Sequence, residues 1–134
     1  MSAMWDESLV ELLALESKIL RKLNEAIGIT RELAEAVDRD DQVSVRMLLS
    51  SRQAPLLELQ ELNAALDLKR CDLSGEDKAA FDRLVTQGGA PKIPAEEDVA
   101  SQVALNRRVL EQLAKLDQRV SEKLCREKSV YRKR

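Results

Sequence analysis

Hydrophobic positions along this chain recur every three or four residues and never alternate by two, which is the period of an amphipathic helix and not of a strand. In the first segment the apolar row reads Leu9, Leu12, Glu16, Ile19, Leu23, Ala26, Thr30, Leu33 and Val37. Leu13, Leu20, Ile27 and Ala34 widen it by one position each turn. The spacing predicts a helix over about 6–37, with a face broad enough to meet more than one partner helix. Glu16 and Thr30 are its two polar interruptions.

The run Asp38-Arg39-Asp40-Asp41 breaks this pattern, and Asp40 or Asp41 is placed to cap a second helix over about 41–70. The second seam is Val45, Leu49, Arg52, Leu56, Leu59, Asn63 and Leu66, flanked by Leu48 and Leu62. Pro55 lies inside it, cannot donate to the Ser51 carbonyl, and predicts a kink near Ser51. So short a turn makes the two helices antiparallel neighbours. Matching the seams sets Val37 against Val45, Leu33 against Leu49, Thr30 against Arg52 and Glu16 against Leu66.

Ser74-Gly75-Glu76-Asp77 has the form of a capping box, with Asp where Glu or Gln is usual, opening a short helix over about 74–87 that offers Phe81, Leu84 and Val85 to a core. After the loop from Gly88 to Pro94, the acids Glu96, Glu97 and Asp98 complement the dipole of a last helix over about 95–130. Its seam is Val99, Val103, Asn106, Leu110, Leu113, Asp117, Val120 and Leu124, widened by Val109 and Leu116. The expected fold is all-α: one elongated helical bundle spanning 1–134, made of a long hairpin, a short helix and a long C-terminal helix.

Composition narrows the function. The chain is 44% hydrophobic and 34% charged but only 2% aromatic, the make-up of long amphipathic helices. It has no histidine, which removes imidazole bases, Ser-His and Cys-His pairs and most zinc and haem sites. Gly88-Gly89 is followed by Ala90-Pro91 and forms no phosphate loop. No catalytic residue, cofactor or metal is therefore expected, although carboxylates and lysines are present in number. Cys71 and Cys125 lack metal-ligand spacing and read as free thiols of a cytoplasmic protein. Asp6 and Glu7 stand where a secretory signal would be basic, and no stretch approaches membrane-spanning length, so neither secretion nor membrane insertion is expected.

From Arg126 onward five basic residues accompany one acid, within a chain of net charge −2. Such a tail is either a docking element for nucleic acid or an acidic partner, or a set of cations favourably placed at a helix C-terminus. Nucleic acid is not the expected partner, because Tyr131 alone makes no base-stacking platform. The polar seam residues Glu16, Thr30, Arg52, Asn63, Asn106 and Asp117 read as devices that fix register, with a ligand pocket as the other reading. Trp5 is expected to cap the end of the bundle.

Leu12-Leu13-Ala14-Leu15-Glu16, and Asp40-Asp41 leading to Leu48-Leu49-Ser50-Ser51-Arg52-Gln53-Ala54-Pro55-Leu56, carry a family resemblance. These stretches resemble flagellar type III export chaperones of the FlgN and FliT kind, in the acidic turn and the Leu-Leu-x-x-Arg-Gln start of the second helix. Asn106-Arg107-Arg108-Val109-Leu110 resembles their last helix, with Val109 in place of a second asparagine. The resemblance implies a cytoplasmic chaperone that captures the amphipathic C-terminal helix of a hook-associated or cap subunit. It would prevent premature assembly and pass its client to the export machinery. The client surface is then expected on the last helix, at Val103, Asn106, Leu110, Leu113, Leu116, Val120, Leu124 and Tyr131. A structural coiled-coil adaptor or homo-oligomeric scaffold would use the same faces on another copy.

Overall fold

The computed structural model describes residues 3–132 along the backbone and the side chains of residues 4–126. Tyr131 and the basic residues that follow Arg126 therefore lie outside the described side chains. Helix α1 spans Ala3–Asp38, α2 Gln42–Ser51, α3 Gln53–Asp72, α4 Gly75–Phe81 and α5 Glu97–Arg132. Among the described residues there is no strand, and no helix is long and apolar enough to cross a membrane. The all-α reading holds, with the second helix divided in two.

That division falls where Pro55 places it. The chain turns at Arg52, one residue past Ser51; the Arg52 N–H still reaches the Leu48 carbonyl at 2.9 Å, but the Leu56 N–H reaches Arg52 only at 3.4 Å. Pro55 then sits in the first turn of α3, where its missing N–H is tolerated. At the hairpin turn Asp40 adopts φ +56°, and Asp41 is the cap: its carboxylate accepts from the Ser44 N–H at 3.1 Å and from the Ser44 hydroxyl at 2.6 Å.

Helices α1 and α2–α3 run antiparallel. Lys22 pairs with Glu58 at 2.6 Å and Lys69 pairs with Glu11, about two positions from the expected register and so within a turn of it. Val37, Val45, Leu33 and Leu48 cluster around the turn, whereas Leu49, expected on the seam, is 40% exposed. The bend at Arg52 rotates the face that α2 turns toward α1, and Leu48 takes the inner position. Thr30 is fully buried and donates to the Ala26 carbonyl at 2.7 Å, closing its own hydroxyl within α1.

Helix α4 lacks the expected capping box, since Ser74 makes no side-chain cap bond. Gly75 opens the helix at φ +56°, which takes the first turn out of the geometry such a box requires. The helix widens into a π turn over Asp82–Thr86, where the Gln87 N–H reaches the Asp82 carbonyl at 2.9 Å. Gly88, at φ +65°, ends it, and the Gly89 N–H returns to the Arg83 carbonyl at 2.7 Å. This short unit stays at the end of the bundle where α3 finishes: Arg70 forms a two-point ion pair with Asp82.

Helix α5 therefore starts where α1 starts and runs parallel to it. Trp5 lies inside α1, which begins one turn earlier than expected, and it is only 2% exposed. Its indole N–H donates to Glu96 Oε2 at 3.0 Å, so the ring is part of the core and anchors α5 as well as covering the end. At the far end Lys123 reaches Asp38 at 2.7 Å. The strip that α5 presses on α1 runs through Val103, Asn106, Val109, Leu113, Leu116 and Val120. Leu110, expected on that seam, is 53% exposed. A helix of 3.6 residues per turn drifts against a seam drawn in alternating threes and fours, and Val109 takes the inward place.

Glu96 is buried yet ionised. Burial would push its carboxyl up, but the Lys92 N–H, the Trp5 indole and the Arg83 guanidinium together outweigh that and hold it below 4.5. Its contribution to stability is present above pH 4.5 and is lost as the pH falls through its lowered folded-state value. Trp5→Phe keeps most of the packing and removes one donor to this charge. Urea unfolding should show a loss of about 1.5–3 kcal/mol for this variant at neutral pH.

Candidate functional site

Helix α1 is the element on which both α2–α3 and α5 pack, while α3 and α5 scarcely approach each other. Between them lies a half-open groove of about 340 Å³. Its floor is Glu16, Ile19 and Leu23 of α1. One wall is Leu56, Leu59, Asn63 and Leu66 of α3, and the other is Val103, Asn106, Arg107, Leu110 and Leu113 of α5. Val85 of the π turn closes one end. One turn beyond Leu56 and Leu113, at the other end, Arg52 spans the gap to Asp117 at 2.7 Å. Each wall spans eleven residues, a rise of about 15 Å along the helix, or nearly three turns.

Four of the six polar seam residues form two cross-helix pairs. Arg52 and Asp117 make one. Glu16 and Asn106 make the other: Asn106 Nδ2 donates to the Glu16 carbonyl at 2.8 Å and to Glu16 Oε2 at 2.6 Å, while Asn106 Oδ1 accepts from Gln102 at 3.2 Å. The Arg52–Asp117 and Glu16–Asn106 pairs cross between helices, and the second puts polar atoms in the groove. Asn63 is exposed, because no helix covers α3 at that point.

Glu16 is 5% exposed, and that burial pushes its carboxyl above 4.5 against the opposing pull of the Asn106 amide and the nearby Arg107 charge. Arg107 itself donates to the Thr86 carbonyl, which ties the groove wall to the π turn.

Of the residues expected to bind a partner, Val103, Asn106, Leu110 and Leu113 line the groove. Leu113 also packs into the main core, with which Leu116 is in contact, and Val120 and Leu124 belong to the cluster around Leu33 and Val37. Those last three pack against clusters that α1 contributes to. Tyr131 lies outside the described side chains. Sequence reasoning placed no site on Leu56, Leu59 or Val85; Asn63 stood among the polar seam residues for which a ligand pocket was the other reading.

Two other depressions are accounted for by structural contacts. One of about 430 Å³ between α1 and α3 is lined by Lys18, Arg21, Lys22, Glu25, Glu58 and Glu61, and Lys22 is already paired with both Glu25 and Glu58. The other surrounds the Trp5, Arg83 and Glu96 contacts. Cys71 and Cys125 are exposed and unpaired. No family model, curated protein or solved structure matches the chain.

Glu16 has a testable pH signature. Its folded-state pKa lies above the unfolded value of 4.5, so the folded protein holds this proton more tightly and loses stability as the pH rises past 4.5. Glu16→Gln retains an acceptor for Asn106 without the charge. Urea unfolding from pH 4.5 to neutrality should show the wild type losing stability relative to this variant.

Proposed function

We propose that the protein captures an amphipathic helix of a client protein in the α3–α5 groove, and acts by binding and not by catalysis. The observation that carries this reading is the groove itself: aliphatic side chains on three helices and the π turn face a space that no part of the described chain fills, and Leu110 stands half-exposed at its edge. A trough nearly three turns long suits a row of anchors at i, i+3 or i+4, and i+7. In this reading the protein is a cytoplasmic chaperone of the flagellar export kind. Its client is the C-terminal helix of a hook-associated or cap subunit, shielded until it is passed to the export machinery. The resemblance in the α1 and α2–α3 stretches supports the choice of client, and the groove supports the mode of capture.

Substitutions separate the groove from the core. A fully buried aliphatic contact contributes about 1.5–3 kcal/mol, so Leu110→Asp should weaken capture about tenfold or more while the circular dichroism spectrum is unchanged. Val120→Asp, at a position 1% exposed against Leu33 and Val37, should instead reduce helicity or stability. Titration of the isolated subunit helix against each variant is the measurement. Undiminished binding by folded Leu110→Asp would place the client elsewhere. A dimer in light scattering that Leu110→Asp splits would favour the homo-oligomeric scaffold.

A further inference from the structure

Among the described residues, the charged ones lining the groove are Glu16 and Arg107, and no hydrogen bond joins them. The Arg107 guanidinium is committed to the Thr86 carbonyl. Glu16 Oε2 accepts from Asn106, whereas Oε1 accepts from no donor among the described residues. A glutamine would accept the same Asn106 hydrogen bond without the desolvation cost of a charge. The chain thus holds an incompletely paired carboxylate at the floor of an apolar groove, where a cation brought by an occupant would complete it.

The position along the groove sets the pattern. Glu16 pairs with Asn106 near the end closed by Val85, while Leu23, Leu56, Leu110 and Leu113 lie toward the other end. Resting on the capture reading above, we propose that the occupant is a partner helix whose apolar row ends in a lysine or arginine that pairs with Glu16. Two aliphatic anchors follow the cation at one-turn spacing and fill the leucine-lined part. The complementarity is of charge at one end and of shape at the other.

The test uses displayed helical peptides in an alanine- and glutamine-rich host, with seam positions i, i+4 and i+7 randomised and selected on the full chain. The wild type should enrich lysine or arginine at one end of the row and aliphatic residues at the other two positions. Glu16→Gln, checked for helicity, should keep the aliphatic preference and lose the cationic one. The best cationic peptide should bind this variant about tenfold more weakly or worse. Replacing the peptide's lysine by norleucine, with the wild-type protein unchanged, should produce the same loss. Enrichment of three aliphatic residues by the wild type, or a cationic preference that survives in Glu16→Gln, would overturn the proposal while leaving helix capture intact. Failure of the wild type to enrich any peptide would overturn capture in the groove and the proposal with it.

Discussion

The buried carboxylate of Glu96 is the point on which the arrangement of the long helices depends. It receives the Trp5 indole from α1, the Arg83 guanidinium from the π turn and the Lys92 N–H from the loop before α5. Because these donors come from three segments, the start of α5 is held beside the start of α1, and α5 must run parallel to it. A buried charge so supplied is ionised and directional, whereas an aliphatic contact at the same place would specify burial without orientation.

From that starting point the pairing of Asn106 with Glu16 sets the next register one segment further along, and Lys123 with Asp38 meets it at the far end. Helix α2–α3 is positioned independently, by the Asp41 cap, by the Val37–Val45 cluster and by Lys22 with Glu58. Two helices are therefore referenced to α1 by separate contacts, and little refers them to each other. The Val85 turn at one end and the Arg52–Asp117 pair at the other act as spacers. The groove is the space that this three-point construction leaves, and it is apolar because α1's broad face was wide enough to exceed what either neighbour covers.

Helical periodicity, the Pro55 kink and a cap at Asp40 or Asp41 were legible because each depends on residues within a few positions of one another, and the structure assigns the cap to Asp41. Errors arose where a choice between adjacent positions had to be made. Leu48 and Val109 are inward and Leu49 and Leu110 outward, opposite to the drawn seams, since the facing angle accumulates along a helix and is reset by a bend. The Ser74 cap failed for a local reason, the left-handed φ of Gly75, which composition permits but does not demand.

The amino-acid sequence by itself determined that the chain is all-helical, where its helices break, that the first two lie antiparallel, and that polar residues interrupt every long seam. Of the eight residues it pointed to as a partner surface, Val103, Asn106, Leu110 and Leu113 line the groove. Only the tertiary structure decided that α5 runs parallel to α1, which polar residues meet, and which apolar residues are covered. Glu16 with Asn106, and Trp5 with Glu96, stand about 90 residues apart in the chain. Periodicity reports which face of a helix is apolar, but not which neighbour arrives to bury it. That is settled by contacts between distant segments, and it is why an apolar wall and an open groove read alike until the helices are placed.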